Sequence, residues 1–162
     1  MRRILVAGFK GKSNSAKIIL DKCSDELEKL YLENDFSVCA LQIQSAVEIG
    51  YDFILMLGQK PVIKSVYIEV AGKSSSDSFK TTFDYMGLVD WLRASGYKIH
   101  VSENAGNYLC NHAYFHGLSA AFSSCKKTKI IFLHIPYLKN IVDTDHMACV
   151  LSTFLLNLDF HS

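Results

Sequence analysis

Three side chains in this 162-residue chain combine residue type and position in a way that suits covalent chemistry. Cys110 lies in the stretch SENAGNYLCNHAYF (residues 102–115), where a small-residue turn, Asn104-Ala105-Gly106, leads into an apolar helical run. A cysteine within a turn of a helix N-terminus sits among unpaired N–H groups and the positive end of the helix dipole. That placement lowers a thiol pKa and aims backbone donors at an oxyanion forming beside the sulfur, as acyl transfer requires. His134, in LHIPY, leaves the end of a strand two residues before Pro136, and a positioned imidazole is the usual base for a thiol. Glu69 stands between Ile68 and Val70 in an apolar strand, where an unpaired carboxylate is costly, so it calls for a partner such as a histidine N–H. Each has an ordinary structural alternative: a core cysteine, a satisfied histidine, a carboxylate at a solvated strand end. Spacing alone does not bring the three together.

Composition narrows the setting. Apolar residues are 49% and charged residues 20%, as in compact globular proteins. With 162 residues, a single domain over 1–162 can bury a core on both faces of a sheet. The formal charge is +1, from 17 basic and 16 acidic residues, without the Lys/Arg clustering that phosphate-backbone binding needs, which argues against nucleic acid. MRRILVAGF is too brief an apolar run for a signal peptide, and no segment is long enough for a membrane span. The expected location is cytoplasmic. Five cysteines, Cys23, Cys39, Cys110, Cys125 and Cys149, lack CxxC pairing, so neither zinc nor a disulfide framework is expected. His112 and His116, four apart on one helix face, have metal-binding spacing but no third ligand, and read as packing or surface residues.

The elements that must position the three residues follow from apolar periodicity. Residues 3–9 form a strand ending at Gly8-Phe9, and the polar stretch 10–14 leads into a helix from about Ser15. A short strand at 30–32 precedes a helix capped by Asn34 or Asp35 and ended by Gly50. Residues 51–57 form a strand closed by Gly58, and 65–71 a strand carrying Glu69. The Ser-rich stretch 72–82 reads as a mobile loop or trimmed connection. A helix over 83–95, a strand at 97–101, a helix from Asn107 to about Ser123, a strand at 129–135 and a helix over 143–158 complete the chain. Alternating helices and doubly apolar strands predict an α/β fold, a three-layer α/β/α sandwich on a largely parallel sheet. Reactive groups in such sheets gather at strand ends.

The quoted segments resemble a known family, the type I pyroglutamyl peptidases (pyrrolidone-carboxylate peptidases), which are cysteine peptidases. SENAGNYLCN is similar to the family's S-N-x-A-G-x-Y-x-C-N signature, and FLHIPYL (132–138) to its F-I-H-V-P-Y segment. GQKPVIKSVYIE (58–69) resembles the Gly-x-x-Pro loop and the strand that follows it, and residues 1–9 resemble the opening strand. The resemblance implies a phosphorylase/hydrolase-like mixed sheet, with Cys110 as nucleophile, His134 as general base and later acid, and Glu69 orienting His134. The implied reaction removes an N-terminal pyroglutamyl residue from a small peptide or amide substrate, with no metal or organic cofactor. Phe9 is the residual contact for the pyrrolidone ring, and Asn111, beside the nucleophile, supports its turn or helps polarise the site.

The chain also departs from the family. Of the family's G-F-x-P-F-G-G, Gly8-Phe9-Lys10-Gly11-Lys12 keeps only Phe9, half of the aromatic clamp. Val62 and Ile63 follow Pro61 where the family has glycine and arginine. After Glu69, GKSSSDSF replaces a long segment that includes family oligomerisation contacts, so the family tetramer is not carried over. Two other readings stay open: a diverged cysteine hydrolase or acyltransferase for another amide or acyl substrate, and a catalytically idle binding protein. Joint retention of Cys110, His134 and Glu69 favours an enzyme.

Overall fold

The computed structural model describes residues 2–141 and 143–159; Met1, where the opening-strand match begins, lies outside them. Six strands form the main sheet: β1 (Ile4–Phe9), β2 (Glu28–Leu32), β3 (Phe53–Lys60), β4 (Val66–Glu69), β7 (Ile99–Ser102) and β8 (Lys129–Pro136). Their order is β2-β1-β3-β8-β4-β7. The first four in that order run parallel, and β4 joins β8 antiparallel while pairing parallel with β7. The sheet is therefore mixed, as the family resemblance implies.

Among the described residues five α-helices cover both faces: α1 (Ser15–Lys22), α2 (Phe36–Ile49), α3 (Met86–Ala94), α4 (Leu109–Ser123) and α5 (Thr144–Leu156). Residues of α1, α3 and α5 bury one sheet face with Leu55, Leu133 and Ile68. Residues of α2 and α4 bury the other with Ile54, Met56, Ile130 and Phe132. Strand residues alternate between two apolar layers, so the interior strands have no polar face. Caps fix the starts of three helices: Asn14 for α1, Asp35 for α2 and Asp143 for α5 each accept from first-turn N–H groups.

Three sequence expectations need correction. Gly58 does not close its strand, because β3 runs on to Lys60 with Gly58 in register with His134. The strand of Glu69 breaks after that residue, and the chain continues in a separate two-stranded sheet, β5 (Ala71–Lys73) with β6 (Ser78–Lys80). The Ser-rich stretch is thus an antiparallel hairpin and not a loop. Its turn is held by Ser74 Oγ, which accepts from the N–H groups of Ser76 and Asp77. Gly72 lets the hairpin lie on α4, since a Cβ there would stand 2.7 Å from the Phe115 nitrogen.

Candidate active site

Glu69 and His134 form the buried centre of the candidate site. They are 0% and 3% exposed, and His134 Nδ1 lies 2.8 Å from Glu69 Oε1. A carboxylate only accepts, so Nδ1 carries the shared proton and the neutral ring keeps its lone pair on Nε2. The second carboxylate oxygen, Glu69 Oε2, is buried without a hydrogen-bond partner among the described residues. The carboxylate's one strong side-chain contact is therefore the imidazole.

Register places these groups on one face. Glu69 pairs with Phe132 and Tyr67 with His134 across β4 and β8, while Gly58 pairs with His134 across β3 and β8. Phe132 belongs to the layer under α2 and α4, and its ring is 4.9 Å from that of His134. His134, Glu69 and Gly58 therefore all face α4.

Cys110 is the second residue of α4. The turn before it is built from its own polar groups: Ser102 Oγ accepts from the Asn104 N–H at 3.1 Å, and Asn104 Oδ1 from the Gly106 N–H at 3.0 Å. Ala105 and Leu109 anchor the turn in the core. Among the described residues no side chain caps α4, unlike α1, α2 and α5, so no capping side chain takes up its first-turn N–H groups beside the sulfur. Forgoing a cap costs about 1 kcal/mol. Those donors form a ready oxyanion site.

The sulfur is brought over the sheet at Gly58. A Cβ on Gly58 would lie 2.6 Å from Cys110 Sγ and 2.8 Å from the Phe132 ring. The sulfur thus occupies the space of an absent side chain on β3, beside the strand that carries His134.

The thiol's electrostatics differ from the sequence expectation. Burial pushes the Cys110 thiol up to about 12, with Cys39 and Glu69 adding to the rise, against smaller lowering by Lys60 and its own backbone N–H. Desolvation is the largest contribution. The resting group is a neutral thiol, so forming a thiolate requires moving its proton to a base.

Phe9 is 3% exposed at the end of β1, in the same apolar layer as Leu109 and Phe132. Asn111 is committed elsewhere: its Oδ1 accepts from the Lys73 N–H at 2.9 Å and its Nδ2 donates to the Lys73 carbonyl at 2.7 Å. Its amide clamps the hairpin to α4 immediately after the nucleophile position. Tyr114, fully buried on α4, donates to the Glu69 carbonyl at 2.8 Å and fixes the strand end that carries the carboxylate. Sequence reasoning missed Gly58 and Tyr114. A glycine inside an alternating apolar strand was the available signal for a close approach. The His112 and His116 rings meet edge-on with centroids 4.5 Å apart, and among the described residues no cluster of three His, Cys, Asp or Glu could hold a metal. No helix of the described residues is long and apolar enough to cross a membrane.

Comparison with known proteins places these features in context. A sequence model of the family described as pyroglutamyl peptidase matches residues 73–157, a span that contains Cys110 and His134. A pyrrolidone-carboxylate peptidase of Streptococcus suis is 27% identical over 143 residues, 80% of this chain and 64% of that protein. This chain therefore spans less than two thirds of the length of that relative. Among solved structures, the pyrrolidone carboxyl peptidase of Fervidobacterium islandicum superposes with a TM-score of 0.83 at 18% identity, covering 97% of this chain and 98% of that one. The Thermus thermophilus enzyme gives 0.79 at 21% identity, over 96% and 100%. At these identities the structural likeness establishes the fold.

Proposed function

This chain belongs to the pyroglutamyl peptidase family, and on that footing we propose that it is a cysteine-type peptidase releasing N-terminal pyroglutamate from short peptides. The observation that carries the reading is the buried His134–Glu69 pair at 2.8 Å on the sheet face where Cys110 Sγ packs at Gly58.

His134 Nε2 takes the thiol proton as the sulfur attacks the pyroglutamyl carbonyl carbon, and Glu69 stabilises the imidazolium. The N–H groups at the start of α4 hold the oxyanion. Collapse breaks the carbon–nitrogen bond, and His134 passes its proton to the departing amine. Water, deprotonated by the same imidazole, then hydrolyses the thioester and restores the thiol. Because burial raises the thiol's pKa, the thiolate forms by proton transfer to His134 as the sulfur attacks. Phe9 supplies an apolar wall for the ring. Five free thiols fit a reducing, cytoplasmic setting.

A second reading, hydrolysis of another amide or acyl substrate, is favoured by Lys10-Gly11-Lys12 standing where the family places its second clamp aromatic. Release of arylamine from pyroglutamyl arylamide, measured for the wild type, Cys110→Ala, His134→Ala and Glu69→Gln, tests both. The expected losses are roughly 10³-fold or more for the first two and roughly 10²–10⁴-fold for Glu69→Gln. Activity untouched by Cys110→Ala removes the sulfur from the mechanism. A wild type that cleaves other acyl amides but no pyroglutamyl substrate selects the second reading.

A further inference from the structure

β3 ends in Gly58-Gln59-Lys60, and strand alternation puts Lys60 on the same face as Gly58. Its register partner is Pro136, two positions beyond the Gly58–His134 pair, or about 7 Å along the strand. Lys60 Nζ lies 5.2 Å from the ring centroid of Tyr67 on β4, the register partner of His134. Because β8 lies between β3 and β4, the Lys60 side chain must cross the end of β8 to reach that ring. The ammonium therefore stands over the strand end that carries His134.

This cation is handled differently from many others in the chain. Lys10, Lys17, Lys22, Lys29 and Lys80 each have an acidic partner. Lys60 is half-buried, rests on an aromatic face, and has no carboxylate partner among the described residues. A partly desolvated ammonium of this kind favours an anion beside it. It acts on the sulfur too, as a cation that favours the Cys110 thiolate.

We propose that Lys60 is a carboxylate-reading residue of this site, receiving the α-carboxylate of the residue that follows the scissile amide. The preferred substrates are then acyl-amino acids and dipeptides with a free C-terminus. The reach is consistent: the leaving nitrogen must come to His134 to be protonated, and its carboxylate carbon lies only about 2.5 Å away through N–Cα–C. A bound carboxylate also offsets the repulsion between the ammonium and the imidazolium formed during attack.

The proposal rests on Cys110 and His134 being the reacting groups, and two measurements keep its failure distinct from failure of the pyroglutamyl reading. In the first, kcat/KM is compared for pyroglutamyl-alanine and its C-terminal amide with wild type, Lys60→Met and Lys60→Arg. The free acid is expected to be preferred by roughly 10-fold, a preference lost in Lys60→Met and kept in Lys60→Arg. Equal rates for acid and amide in the wild type overturn the substrate class. In the second, which needs no substrate, alkylation of Cys110 by iodoacetate and by iodoacetamide is followed by peptide mass spectrometry at about pH 8.5. The iodoacetate to iodoacetamide ratio should fall several-fold in Lys60→Met and hold in Lys60→Arg. An unchanged ratio overturns the role of Lys60. A wild type inactive on both pyroglutamyl compounds, with the alkylation ratio behaving as expected, overturns only the pyroglutamyl reading.

Discussion

Gly58 and Cys110 share one space: the sulfur on α4 packs where a Cβ on β3 would stand, 2.6 Å away. Adding that methyl must displace the sulfur or the Phe132 ring. Gly58→Ala is therefore expected to cost about 1–3 kcal/mol of stability and roughly 10-fold or more in activity. Gly87→Ala is the matched control, since a Cβ there meets nothing within 4 Å. It should leave activity unchanged and add about 0.5–1 kcal/mol. Urea titration and arylamide release read both.

The Cys110 thiol gives a pH signature. Its folded pKa, about 12, lies above the ordinary value of 9.0, so folded and unfolded chains are equally protonated below pH 9 and the contribution is fully present there. Between 9.0 and about 12 the unfolded chain loses a proton that the folded chain keeps, and stability falls as pH rises. Cys110→Ala should thus show a shallower decline in urea midpoint from about pH 8 to about pH 10.5 than the wild type. Equal slopes would mean that the thiol is not held neutral. With its raised pKa and intermediate exposure, Cys110 is expected to alkylate more slowly near pH 7 than the exposed Cys125.

Asn111 ties the hairpin to the nucleophile's helix through two hydrogen bonds to Lys73. Asn111→Ala should lose about 1–3 kcal/mol and speed hydrogen exchange at the Lys73 amide. Asn111→Asp keeps the acceptor for that amide but loses the donor to the carbonyl, so its effect should be intermediate. If Lys73 exchange is unaltered in both variants, the hairpin is held by other contacts.

Val62 has φ +70° and is 90% exposed, a left-handed conformation that a β-branched residue adopts only under strain. Nothing is packed against its side chain to be lost on truncation. Val62→Gly should stabilise the protein by about 1 kcal/mol and raise Tm by about 2–4 °C. A lower Tm would show that the turn gains more from valine's restricted unfolded state than it loses to strain.

Much of the scaffold was legible from local chemistry. Apolar runs such as FILML and IIFLHI marked buried strands, Gly50 and one of Asn34 or Asp35 marked the ends of α2, with Asp35 the cap the structure uses, and the turn at 104–106 placed the start of α4 at Asn107, two residues before Leu109. Those signals work because periodicity and capping act over a few residues. The Ser-rich stretch after Glu69 was misread because its hairpin is stabilised mainly from outside, by Asn111 and the surface of α4, and short strands carry little propensity of their own.

For the candidate site, the sequence alone determined which residue types were available: a cysteine at a helix start, a histidine near a strand end and a glutamate among apolar neighbours. Tertiary structure decided their relationship. The antiparallel entry of β4 beside β8 put Glu69 Oε1 against His134 Nδ1 on the α4 face. It also decided the sign of the Cys110 shift, because helix position is a local property whereas desolvation depends on which strands and rings close over the sulfur.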